Sequence, residues 1–156
     1  MTPALRMRLD VACSADHAFH TWTSRIAMWW PAAHTTTGEE YLDVVIEPCV
    51  GGRIYERTRS GREVDWGRVV RWDPPRRFAF RWHLGTDASN ATDVELTFVP
   101  AGPDATTVDL VHTGWDRLGA AGPVRREGNN AGWTAVFRHF VRAIDAGPPS
   151  VTGVES

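Results

Sequence analysis

The order of the hydrophobic periodicities is what most constrains this chain. Short segments with period-two alternation run from about residue 41 to 113, and one helical stripe follows, made of Trp133, Val136, Phe137, Phe140, Val141 and Ile144. That spacing puts one face of a helix in the interior, and Arg138, Arg142 and Asp145 occupy the wet face. Gly147-Pro148-Pro149 stops the helix, because proline lacks the amide donor and clashes with the preceding turn. A meander with one apolar face and a single long amphipathic helix bury each other when the sheet curls around the helix.

The remaining elements follow from the same patterns. Leu5, Met7, Leu9 and Val11 alternate as a half-buried first strand, and Ser14 reads as the N-cap of a helix whose inner face is Ala15, Ala18, Phe19 and Trp22. Ile26, Trp29 and Trp30 continue into a second short helix that Pro31 ends, and His34 to Gly38 reads as loop. Strands are expected at Tyr41–Glu47, Arg53–Arg59, Glu63–Trp72 and Phe78–Leu84, then around Val94, Leu96 and Phe98, and around Val108, Leu110 and His112. Asp73-Pro74-Pro75 forces a turn, and 114–128 reads as a mixed loop. The expected fold is α+β: a curved antiparallel sheet of about six or seven strands around a long C-terminal helix, with two short helices after the first strand. Residues 1–146 are expected to form one domain and 147–156 a disordered tail.

Composition narrows the function classes. With 156 residues the chain suits one core and is short for two. Its 17 basic and 19 acidic side chains nearly cancel, which gives no footprint for nucleic acid or an anionic membrane. All the basic residues are arginine, a pattern of GC-rich bacterial coding that also rules out Schiff-base chemistry on lysine. No apolar run approaches the roughly 20 residues that span a bilayer, and no signal-peptide pattern opens the chain, so a cytoplasmic protein is expected. Cys13 and Cys49 lack a CxxC spacing and read as free thiols.

Eight tryptophans are more indole than a core this size requires. Inward-facing tryptophans point to an aromatic-walled cavity, because so large a ring seldom buries completely and its N–H wants a partner. Trp22 reads as core and Trp72 as a plug at a strand end, whereas Trp29 and Trp30 read as a lid at the short helices. Trp66, Trp82, Trp115 and Trp133, with Phe80 and Phe137, form the expected wall of the ligand site. His112 shares a face with Val108 and Leu110; it either meets a ligand or is a core histidine satisfied within the protein. Glu56 shares a face with Ile54. Inward, it needs a partner such as Arg53 or Arg68; outward, it is a cross-strand ion pair.

Other chemistries fit poorly. Gly51-Gly52 has neither phosphate-loop spacing nor a following helix, and reads as a tight turn. His17 and His20 lie off the buried face of their helix with no carboxylate at ligand spacing, so no metal is expected. There is no GxSxG elbow for a serine nucleophile.

Glu47-Pro48, Gly51-Gly52-Arg53-Ile54-Tyr55-Glu56, Gly67-Arg68-Val69, Asp73-Pro74-Pro75, Phe80-Arg81-Trp82, His112-Thr113-Gly114-Trp115 and Gly132-Trp133 stand in the order and spacing of a known family. Over about residues 5 to 145 the chain resembles the Hsp90 ATPase activator homologue family, of the START-like or Bet v 1-like (SRPBCC) superfamily of helix-grip folds. The resemblance implies a small-molecule-binding domain, with polyketide cyclases and aromatases and a eukaryotic co-chaperone among the relatives. The expected function is binding of a small hydrophobic or aromatic ligand, non-enzymatic and without a cofactor. The alternatives are a cyclase or aromatase in which His112 or Glu56 moves protons, and a co-chaperone-type interaction module. A homodimer through a sheet edge or the long helix is compatible with the sequence.

Overall fold

A computed structural model describes residues 1–146; the expected disordered tail at 147–156 lies outside the described residues. Seven strands form one antiparallel sheet: β1 (Leu5–Val11), β2 (Asp43–Ile46), β3 (Arg53–Arg57), β4 (Glu63–Asp73), β5 (Arg77–Trp82), β6 (Thr92–Gly102) and β7 (Ala105–Thr113). Their spatial order, β1-β7-β6-β5-β4-β3-β2, leaves the meander consecutive and sets β1 beside β7. Helices α1 (Ala15–Thr23) and α2 (Ile26–Trp29) follow β1, and α3 (Gly122–Ala146) ends the described chain. This is the curved sheet around a long helix expected from the periodicities, the helix-grip architecture that the resemblance implies.

Cross-strand register explains which side chains meet α3. Phe80 pairs with Val94, Val94 with His112, and His112 with Leu5, while Phe78, Leu96 and Leu110 form the adjoining row. All of these are buried, and the alternate positions carry outer-face ion pairs such as Arg8–Asp109 and Arg81–Asp93. The sheet curls where its register slips. Ile54 faces Gly67 but Tyr55 faces Asp65, so Trp66 is the extra residue of a bulge. A bulge bends its strand, and here the fully buried Trp66 ring lies under the fold's mouth. The tight curl has a backbone consequence at Gly67, where a Cβ would collide with the carbonyl oxygen of Arg81.

Ser14 caps α1 as expected, its Oγ accepting the amide of His17 at 3.2 Å. The inner residues of α3 are Trp133, Val136, Phe137, Phe140 and Ile144. One expectation needs correction: 114–128 is not an open loop. A 3-10 turn at Trp115–Ala121 leads straight into α3, which starts at Gly122. Pro123 suits the first turn of a helix, where an amide donor is spare. The segment Arg125-Arg126-Glu127-Gly128-Asn129-Asn130 carries no apolar stripe, so periodicity could not show it as helix. Trp72 plugs the strand end as expected, edge-on to Phe19 at 5.2 Å and to Phe78 at 5.4 Å.

Candidate functional site

The aromatic residues meet at the open end of the grip. Trp30, at the end of α2, lies 5.1 Å from Trp66, 6.0 Å from Trp82 and 6.1 Å from Trp133 between ring centroids. Trp82 is 5.4 Å from Trp133 and 5.2 Å from Phe80. Tilted and edge-on pairs at these separations attract by about 0.5–1.5 kcal/mol beyond their buried area. The rings therefore fill most of the space between sheet and α3. What remains is a cleft of about 110 Å³ bounded by Trp30, Trp82, Trp133 and the Gly128–Gly132 face of α3.

Two polar side chains, His34 and Asn129, also line this cleft. The backbone oxygen of His34 accepts the Trp30 indole N–H at 2.9 Å, which ties the ring of one to the chain of the other. The His34 ring lies across Gly132, with Nδ1 3.8 Å from where a Cβ would stand. Asn129 donates its Nδ2 to the carbonyl of Arg125, and among the described residues its Oδ1 accepts nothing. Neither residue was a sequence-level candidate. The readable signal was Gly128-x-x-x-Gly132 on one helix face, but Gly128 closed the segment read as loop and the helical apolar stripe began only at Trp133.

His112 sits behind the cleft with no exposed surface. The Trp133 indole N–H donates to its Nδ1 at 3.0 Å, and Nε2 is 2.6 Å from Thr92 Oγ1. An indole nitrogen can only donate. His112 must therefore carry its proton on Nε2 and donate to Thr92, whose hydroxyl passes on to the carbonyl of Trp82 at 3.4 Å. Trp115 packs on the imidazole at 4.1 Å and donates to the backbone oxygen of His112. Burial, with the nearby positive charge of Arg125, pushes the imidazole down from 6.5 to about 3. His112 is neutral at physiological pH, with both ring nitrogens occupied.

Glu56 is equally enclosed. Its carboxylate accepts the amides of Thr36 (2.6 Å) and Thr37 (3.0 Å), the Thr37 hydroxyl (2.7 Å) and the Trp66 indole (2.7 Å). Burial pushes this carboxyl up, but the hydrogen bonds from Thr36, Thr37 and Trp66 outweigh that and hold it below the usual carboxylate range. The expected partners, Arg53 and Arg68, are corrected: Arg53 binds Asp65 and Glu63, and Arg68 donates to the Gly51 carbonyl. An ionised Glu56 thus pins the loop after the His34 turn to β3, beneath Trp30.

The remaining candidates lie apart from the cleft. Trp29 donates to the Thr21 carbonyl at 2.7 Å and faces a different groove. Phe137 stands edge-on to Trp22 at 5.5 Å. Phe80 backs Trp82, Trp66 supports Trp30, and Trp115 backs His112. Among the described residues no group of three or more His, Cys, Asp or Glu side chains is placed to hold a metal ion, and no helix is long and apolar enough to cross a membrane.

A curled antiparallel sheet around one long helix, with its mouth closed by short helices, defines a helix-grip protein. The model of the activator of Hsp90 ATPase homologue 1-like proteins matches residues 12–145, and the chain belongs to that family. Among solved structures it is similar to Txn09, an anthrahydroquino-γ-pyrone synthase, with 38% identity over 80% of this chain and 86% of that one and a TM-score of 0.58. It is also similar to CalC, a self-sacrificing resistance protein of Micromonospora echinospora, with 29% identity over 92% and 95% and a TM-score of 0.69. The Aha1 dimer of Colwellia psychrerythraea shares the fold at 15% identity over 95% and 100%, TM-score 0.67. No curated protein matches the chain.

Proposed function

We propose that the protein binds a planar, polycyclic aromatic small molecule of the aromatic-polyketide kind in the cleft between Trp30, Trp82 and Trp133. The observation that carries this reading is the cleft itself: the indoles of Trp30 and Trp82 face a surface of α3 stripped of side chains at Gly128 and Gly132 and flanked by Trp133 of the same helix, with His34 and Asn129 beside it. Indole faces bind flat rings by offset stacking, and a few polar atoms fix orientation. The similarity to Txn09 supports the same ligand class.

A cleft of about 110 Å³ is smaller than the roughly 300 Å³ where drug-sized sites begin. Binding in this reading parts Trp30 from Trp82 and Trp133, a movement of the segment that Glu56 anchors at Thr36 and Thr37. The protein acts as a cytoplasmic, one-domain binding protein; the free thiols of Cys13 and Cys49 support a reducing compartment.

A second reading, a ring-closing enzyme, is favoured by the Txn09 likeness. In that reading the proton-transfer group is His34, which lines the cleft, and not His112, whose nitrogens are both engaged.

Titration with 1,8-dihydroxyanthraquinone followed by tryptophan fluorescence tests the binding. Saturable quenching that disappears in Gly132→Leu is expected; quenching of equal strength in that variant removes the cleft as the site. Conversion of a polyketide-type precursor by wild type, lost in His34→Gln with binding retained, would establish the enzymatic reading.

A further inference from the structure

A second groove, of about 320 Å³, lies farther along the fold, between the α1–α2 corner and the last two turns of α3. It shares no lining residue with the tryptophan cleft. Its apolar surface comes from Trp29, Met28 and Ala143, and its polar groups are Arg25, Arg142 and His139. The Trp29 ring is fixed, its N–H bonded to the Thr21 carbonyl and its face held edge-on against Trp22 at 5.1 Å. Met28 is 63% exposed over it.

The charges here are uncompensated. Arg8, Arg53, Arg57, Arg77, Arg81 and Arg117 each face a carboxylate. Among the described residues, Arg25 and Arg142, like eight other arginines, face none; what sets these two apart is that both line the same apolar groove. His139 donates Nδ1 to the Ala135 carbonyl at 2.9 Å, which leaves Nε2 as the ring atom able to meet a ligand. A rigid indole floor beside two guanidinium groups that meet no carboxylate among the described residues suits a molecule with a flat apolar body and an anionic head. The body covers Trp29, Met28 and Ala143, and the head takes charge-assisted hydrogen bonds that a neutral analogue cannot match.

The geometry points to this groove as a second ligand site, selective for a small aromatic carboxylate. It is independent of the cleft and of the function proposed for it. The volume admits a bicyclic ring system, at the lower end of sites that hold small ligands.

The test is calorimetric titration of the full chain with 2-naphthoate and with neutral 2-naphthamide, with NMR to place each ligand. Naphthoate is expected to bind at least about tenfold more tightly than the amide, and to shift the Trp29 indole and the Ala143 amide signals. Arg25→Gln and Arg142→Gln should each weaken naphthoate about tenfold without changing the amide, while Arg142→Lys retains part of the preference. Gly132→Leu, which fills the other cleft, should leave naphthoate binding intact. No binding, equal affinity for acid and amide, insensitivity to both arginine variants, or loss in Gly132→Leu would each overturn the assignment. So would NOEs in the free protein from Val151 or Val154 methyls to the Met28 methyl, which would make the chain's own terminus the occupant.

Discussion

Trp133 donates its indole N–H to Nδ1 of His112 across 3.0 Å, and that single bond fixes the tautomer of the buried imidazole. It joins α3 to β7, beside the edge strand β1, and couples a residue lining the cleft to a core residue behind it. Protonation of His112 at Nδ1 would set two donors against each other.

Stability should therefore fall with acid in a defined window. The folded pKa of about 3 lies below the ordinary 6.5, so the unfolded chain binds the extra proton between these values. The stabilisation is complete above about pH 6.5 and is lost as pH falls toward 3, at about 1.4 kcal/mol per unit. Urea unfolding is expected to show about 2 kcal/mol less stability at pH 5 than at pH 7 from this group. His112→Phe should flatten that dependence and cost about 2–3 kcal/mol at neutral pH, because Thr92 and the Trp133 N–H lose their partner.

Glu56→Gln tests the strap over the mouth. The amide presents N–H groups where donors already point in from Thr36, Thr37 and Trp66. A loss of about 2 kcal/mol is expected, with faster hydrogen exchange at Thr36 and Thr37. Because the carboxyl is held low in the fold, its stabilisation is present above the ordinary carboxylate range and disappears as pH falls through the folded value. The variant should lack that acid limb.

Gly67→Ala should cost more than a typical surface change, at least about 3 kcal/mol. Its Cβ meets the Arg81 carbonyl, a backbone atom that cannot turn aside. Chemical denaturation read beside Gly61→Ala, where nothing stands within 4 Å but φ is +95°, separates collision from backbone strain.

Gly132→Ala makes the opposite prediction. Only the His34 ring lies within about 4 Å of the new methyl, at 3.8 Å and beyond, and a helix interior gains about 0.8–1 kcal/mol from the exchange. A higher melting temperature together with weaker aromatic-ligand binding would show that glycine is kept there for the cleft and not for the helix.

The sequence made the frame legible. Strict alternation along Phe78, Phe80 and Trp82 and along Val94, Leu96 and Phe98 set strand faces that the register reproduces, and the Trp133–Ile144 stripe marked the inner face of α3. Periodicity failed where apolar pattern was absent, as in the first turns of α3, and so it missed Gly128 and Asn129 on the cleft wall. It also could not reveal that the ionised Glu56 is held by backbone amides about twenty residues earlier, because a loop's approach to a strand leaves no periodic trace. The indoles were expected to surround an open space; instead they pack on one another around Trp30.

The most direct test follows the eight indole N–H signals by ¹H–¹⁵N NMR during addition of 1,8-dihydroxyanthraquinone. The largest shifts are expected at Trp30, Trp82 and Trp133, with Trp22 and Trp115 nearly still. Shifts centred on Trp29, or none at all, would contradict the cleft as the site of binding.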